Sequence, residues 1–290
     1  MPTVLTDSLL LYVYHYKMNP LTPQSGFTLI ELSIVLVIIG LIVGGVLVGQ
    51  DLIKAAGIRA TVQQIEKYNG AVNTFNGKYN GLPGDISTTN AAAFGLTQMN
   101  GAAGRGDNNG LIDGTVATPA AYSQEGCEFW VHLSQANLLD GSFTQVCDAA
   151  TPVLFIAASI PEVMPVARIQ KGNYINVGSA SGLNFFMIGG ITATTTLGAV
   201  TSTVNLTPIE AYSMDTKMDD GSPLTGTVQV HATAGSSVTA FIDPPTASTT
   251  SGAGMCIEGD MVGTALTDTY NVNLITGGNS LACEVRFRFN

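Results

Sequence analysis

From Phe27 to Gly49 the chain runs through 23 residues with a single charge, Glu31. At 1.5 Å rise per residue a helix of that length is roughly 35 Å, enough to cross a hydrocarbon core of about 30 Å. The charge lies one turn inside the run, where a carboxylate costs about 2.5–3.5 kcal/mol on insertion scales. An acid in the first turn of a helix gains about 0.3–1 kcal/mol from the macrodipole. The gain is smaller than the cost, so the dipole alone does not account for Glu31. A sequence that keeps such a residue needs a partner for it.

The residues around it, Gly26-Phe27-Thr28-Leu29-Ile30-Glu31-Leu32 followed by about 20 apolar positions, resemble the class III signal of type IV prepilins and type II secretion pseudoprepilins. The strong resemblance covers about Gly26 to Asp85. It implies that a prepilin peptidase cuts between Gly26 and Phe27 and methylates the new N-terminal phenylalanine. It implies also that Glu31 pairs with the Phe27 amine of an adjacent copy during assembly. The expected fold is α+β and pilin-like: a long N-terminal helix, its apolar half in membrane or filament core, packed on a large head built on an antiparallel sheet. Expected partners are further copies of the chain in a helical homopolymer, the peptidase and an inner-membrane assembly platform. The implied location is the bacterial inner membrane before assembly, then a periplasmic or cell-surface filament.

The division expected is a leader over 1–26, an apolar helix over 27–50, an amphipathic continuation over 51–80 and a globular head over 81–290. Within the leader, Met18 is the expected start, giving MNPLTPQSG; the longer form adds Lys17 and an apolar patch from Leu9 to Tyr14. The charges encode orientation weakly, since Lys54 and Arg59 downstream oppose the positive-inside rule. After Gly49 the helical pattern continues: Ile58, Val62, Ile65, Tyr68, Val72, Phe75 and Tyr79 recur at steps of three or four. Gly81-Leu82-Pro83-Gly84-Asp85 ends it. The four glycines at 40, 44, 45 and 49 lower helix propensity by about 1 kcal/mol each and suit either close packing or local unwinding.

Removing residues 1–26 takes away one acid, Asp7, and one base, Lys17, so the net charge stays at −10. That balance argues against nucleic acid as a partner, because phosphate binding rests on Lys and Arg. The four cysteines fall as two local pairs, Cys127 with Cys147 and Cys256 with Cys283, and sequential pairing is expected in an oxidising compartment. No C-x-x-C spacing supports a zinc site.

In the head, residues 101–114 read GAAGRGDNNGLIDG, and Asp107, Asn109 and Asp113 offer oxygen ligands of the kind calcium takes. The spacing falls short of an EF-hand, so a turn-rich loop without metal is the other reading. A second acidic turn, Asp215, Asp219 and Asp220 before Gly221, resembles the D-x-K-x-D-D-G-x-P element of pseudopilin-like heads. Again calcium and a simple turn both stand, and no cofactor is required. Residues Phe129–Leu139 read as a short helix burying Trp130, Leu133 and Leu138, with His132 bonded to a backbone carbonyl. Glu210–Met218 reads as another short helix. Strands are expected over Leu154–Ile160, Tyr174–Val177, Asn184–Ile188, Thr227–Ala232, Val238–Ile242 and Ala282–Phe289, with Thr192–Val204 a strand pair or an insertion. After cleavage only His132 and His231 remain as histidines, and no G-x-S-x-G or metal pair accompanies them, so no enzyme is expected. The function expected is that of a filament subunit of a type IV pilus. A secretion pseudopilin and a minor tip pilin with a binding head are the alternatives. Cleavage would leave 264 residues, a length that suits a minor subunit.

Overall fold

The computed structural model describes residues 26–99, 105–113, 125–144, 159–169, 172–194, 200–203, 205–231, 256–258, 269–273 and 281–289. The chain divides into two compact units, residues 1–50 and 51–290. In the first, Gly26 to Thr28 are non-helical and helix α1 (Leu29–Tyr79) begins. The apolar side chains from Leu29 to Val48 are exposed all round the helix, and α1 is long and apolar enough to cross a membrane.

The second unit is built around the rest of α1. Ile58, Val62, Ile65, Tyr68, Val72, Phe75 and Tyr79 are all buried, so the stripe read from the sequence is the face that enters the core. Asn80, with φ 55°, takes the left-handed conformation that asparagine tolerates and ends the helix, its N–H donating to the Asn76 carbonyl at 2.9 Å. The chain then turns through 82–86 into α2 (Thr88–Ala93), whose N-cap is Ser87. Gly84 is required there: with φ 86°, a Cβ would sit 2.3 Å from the Glu125 carbonyl oxygen. That close approach seats the turn on α3 (Glu125–Gln135), a helix buried through its first nine residues. The expected helix from Phe129 to Leu139 is therefore displaced. It starts four residues earlier and stops before Asn137, whose φ of 56° breaks it, and Leu138 is only partly buried.

A five-stranded antiparallel sheet packs against these helices. Its strands are β1 (Asn173–Ala180), β2 (Leu183–Thr194), β3 (Val200–Thr203), β4 (Val228–His231) and β7 (Glu284–Phe289). The order is β1-β2-β7-β4, with β3 paired to the far end of β2 beyond an irregularity between Ile191 and Ala193. Ser181 and Gly182, at φ 50° and 74°, make the two-residue hairpin turn between β1 and β2, whose positive φ values match the twist of the flanking strands. Two further strands, β5 (Ile257–Glu258) and β6 (Thr269–Tyr270), form a separate pair. The Thr192–Val204 segment thus resolves into the end of β2 and the whole of β3. The strand expected to end at Ile160 does not do so, because Ile160 opens the short helix α4 (Ile160–Val163) with Pro161 in its first turn, the position that suits proline's fixed φ. Residues 154–158 and 238–242 of the expected strands lie outside the described residues.

The core joins α1, α3 and the sheet through aromatic rings. Trp130 meets Tyr68 edge-on at 5.2 Å and Phe129 at 4.9 Å, and Phe186 stacks on Phe289 at 4.3 Å. Along β7, Val285, Phe287 and Phe289 share one face on the core, and on the other face Glu284 and Arg286 are buried as well while Arg288 is exposed. Helix α5 (Pro208–Met218) is fixed by a capping box in which Thr207 and Glu210 each accept the other's backbone N–H. The result is an α+β architecture: one long apolar helix and a small antiparallel sheet, consistent with a pilin-like fold.

Candidate functional site

Gly26 and Phe27 form an exposed, non-helical approach to α1, and Phe27 is 83% exposed. Among the described residues nothing lies within 4 Å of a Cβ built on Gly26. Thr28 is the N-cap. Its carbonyl accepts the first helical bond from Leu32 N–H at 3.2 Å, and its hydroxyl oxygen accepts from Glu31 N–H at 3.3 Å. Glu31 answers reciprocally: its Oε2 accepts the Thr28 N–H at 2.7 Å and the Thr28 hydroxyl at 2.8 Å. This is a capping box, T-x-x-E, which satisfies N–H groups the first turn of any helix leaves orphaned. Both bonds fall on one oxygen. Oε1 of Glu31 carries no hydrogen bond among the described residues, so half of the carboxylate remains able to accept a further donor. The partner inside the chain, Thr28, was legible as Thr-x-x-Glu at the head of the apolar run.

In the head, the first acidic set gathers with two acids the sequence did not group with it. Asp107 stands with Asp85 and Glu125, one oxygen of each within 4.8 Å of the others. Asn109 bonds to both of its expected companions, its N–H donating to Asp107 and its Nδ2 to Asp113, each at 3.1 Å, and Asp113 accepts from the Ser179 hydroxyl. Asp85 and Glu125 are buried, and all four of their oxygens accept backbone N–H groups of the 105–113 loop. Asp85 takes Asn109 at 3.1 Å and Gly110 at 2.8 Å; Glu125 takes Gly106 at 2.7 Å and Asp113 at 2.6 Å. The two acids are therefore the posts around which that loop is wound. Burial pushes Asp85 up to about 7 and Glu125 up to about 8, against the opposing pull of those N–H donors. The sequence gives them away only weakly, one as the end of a turn and one as a glutamate five residues before Trp130.

His132 fastens the same turn from the other side. Its Nδ1 accepts the Gly84 N–H at 2.9 Å and its Nε2 faces the Thr97 carbonyl at 2.8 Å, which fixes the proton on Nε2. Burial holds this imidazole neutral and lowers its pKa to about 4.

Asp215, Asp219 and Asp220 do come together, again with one oxygen each inside 4.8 Å. Asp215 accepts the Gly221 N–H at 3.1 Å and the Tyr270 hydroxyl at 2.7 Å, and burial raises it to about 6. Asp220 accepts Ser222 N–H and the Thr225 hydroxyl, both at 2.8 Å, while Asp219 accepts the N–H groups of Thr227 and Val228. Three hard oxygens at this separation fit a calcium ion, with bonds of about 2.3–2.6 Å. The same oxygens also close the turn between α5 and β4 through their own donors.

Cys256 and Cys283 form a disulfide across 27 residues, tying β5 to the start of β7. Cys127 is also disulfide-bonded. Cys147, its expected partner, lies outside the described residues.

Residues 21–47 match the prokaryotic N-terminal methylation motif. This is the signal of type IV pilins and pseudopilins, and with the apolar helix it marks a type IV pilin-like or pseudopilin protein. The motif implies processing by a prepilin peptidase and pilus-type assembly, and the helix that follows it fits insertion in a membrane before assembly. No match was found among curated proteins or among solved structures.

Proposed function

We propose that the chain is a non-enzymatic structural subunit of a type IV pilus-like filament, cut between Gly26 and Phe27 and assembled through α1. The observation that carries this reading is Glu31. It sits inside the otherwise uncharged first part of α1, up to Gly49, one oxygen held by Thr28 and the other open to the α-amine that cleavage would create on a neighbouring copy. A charge-assisted bond between that amine and a carboxylate in lipid or in a filament core is stronger than its neutral counterpart, because little water competes for either group. The exposed apolar surface of α1 supplies the packing area that such a filament buries.

The reading is tested at the N-terminus. Mass spectrometry of the mature protein should show N-methylphenylalanine at position 27. Gly26→Leu should leave only the unprocessed form, and a mature-sized band from it would remove the proposed cut. Glu31→Ala should insert and be processed normally yet fail to polymerise. Ordinary filaments from that variant would count against the pairing.

No cofactor enters this function. The Asp215, Asp219 and Asp220 turn, closed by its own N–H and hydroxyl donors, should melt at the same temperature with and without a calcium chelator. A fall on chelation would assign a structural calcium ion there.

A further inference from the structure

At one end of the head three left-handed turns converge on a cavity of about 490 Å³. They are the end of α1 at Asn80 (φ 55°), the loop at Asn108 and Gly110 (φ 60° and 86°), and the β1–β2 hairpin at Gly182 (φ 74°). Among the described residues its lining contains no Lys, Arg or His. Its one acid, Asp85, has both oxygens turned into the N–H groups of Asn109 and Gly110. What the cavity does present is amide. Asn184 is spent, accepting Ile112 N–H at 2.8 Å and donating to the Gly110 carbonyl at 2.9 Å. The carboxamides of Asn76, Asn80 and Asn108 are exposed, and none makes a hydrogen bond among the described residues. Asn76 and Asn80 stand four apart on the last turn of α1 and so share a face. Asn108 stands over the turn that follows, its Oδ1 3.0 Å from where a Cβ on Gly81 would be. Leu82 and Phe289, both buried, close the apolar floor.

We infer that this cavity is a binding site for a neutral saccharide. A carboxamide both donates and accepts, as does a sugar hydroxyl, so three unengaged carboxamides around an apolar floor match a ring with hydroxyls on its rim and C–H groups on its face. The volume falls within the range of ligand sites, about 300–1,000 Å³. An anionic ligand is disfavoured because no cation lines the cavity, and a cationic one because the single carboxylate is already occupied. The inference concerns the unassembled subunit and stands apart from the filament role.

The test is saturation-transfer NMR on the full chain in lipid nanodiscs, which avoids detergents with sugar headgroups, using galactose, N-acetylglucosamine and N-acetylneuraminic acid as probes. One or both neutral sugars should show transfer, and the acidic one should not. Asn80→Gly and Asn108→Gly each delete a carboxamide while keeping a residue that accepts positive φ. With Asn76→Ala they should each weaken binding by roughly tenfold at unchanged melting temperature. A shifted melting temperature in one variant passes the decision to the other two. Transfer to the acidic sugar alone, no transfer to any, or neutral-sugar binding that survives the triple variant would each overturn the assignment.

Discussion

At Glu31 the cap and the proposed intersubunit bond draw on different oxygens of one carboxylate. The residue therefore need not give up its own helix end to meet a neighbour, and Thr28 can shield it before any neighbour arrives. Asp85, Glu125 and His132 show the opposite use of buried polar groups: each is fully engaged and each holds backbone. Their titration sets the pH response of the head. Asp85, Glu125 and Asp215 have folded-state values raised to about 7, 8 and 6 from 3.8, 4.5 and 3.8, so the native state binds more protons than the unfolded one across that interval. Their contribution is complete below about pH 4 and is lost as the pH rises through 6 to 8. His132, lowered from 6.5 to about 4, contributes stability above its unfolded value and loses it as the pH falls towards 4. Together they predict a melting temperature highest at or below about pH 4 and falling between about pH 4 and 8, because three raised acids outweigh the one lowered histidine. Thermal unfolding across that range checks it, and Glu125→Gln should flatten the alkaline limb while lowering the whole curve by about 1–3 kcal/mol, since an amide cannot accept from both Gly106 and Asp113.

Among the elements, β2 pairs with three strands, and β7 is the one that joins β4 to it. It lies between β2 and β4, buries Val285, Phe287 and Phe289, and is tied at its start to β5 by Cys256–Cys283. That bridge closes a loop of 27 residues, which in the chain-entropy picture stabilises the fold by roughly 3–4 kcal/mol. The double variant Cys256→Ser/Cys283→Ser should lower the melting temperature by about 6–16 °C, at 2–4 °C per kcal/mol for a domain of this size. An unchanged melting curve would show that the sheet holds β7 without it. The second half of α1 was readable because its stripe obeys a single period, whereas α5 starts at Pro208, two residues before the expected Glu210, on a capping box that Thr207-Pro208-x-Glu210 spells. Helix α3 was misplaced by four residues because it is buried on nearly every side, and a helix without a polar face leaves no period to mark its start.

For the whole molecule, a net charge of −10 on a subunit meant to stack on copies of itself is a standing repulsion. If the chain assembles as proposed, its filaments should be more persistent at high salt than at low. The Debye length shrinks from about 30 Å at 0.01 M to about 8 Å at 0.15 M, while the bond proposed at Glu31 lies in a core that salt does not reach. Sedimentation of assembled material at the two ionic strengths checks this, and greater loss at high salt would place exposed ion pairs rather than apolar packing at the heart of the assembly. By itself the sequence determined the apolar helix, its one acid, the methylation motif and the buried stripe of α1. Those are local or periodic properties, set by neighbours three or four residues away. Only the tertiary structure decided that Asp85, Asp107 and Glu125 meet, that His132 locks the Gly84 turn, and that three asparagines face one cavity. Apart from Asn76 and Asn80, one helical turn apart, such groupings join residues 18 to 48 positions apart, and it is the folding of loops against α1 and the sheet, not any spacing along the chain, that brings them together.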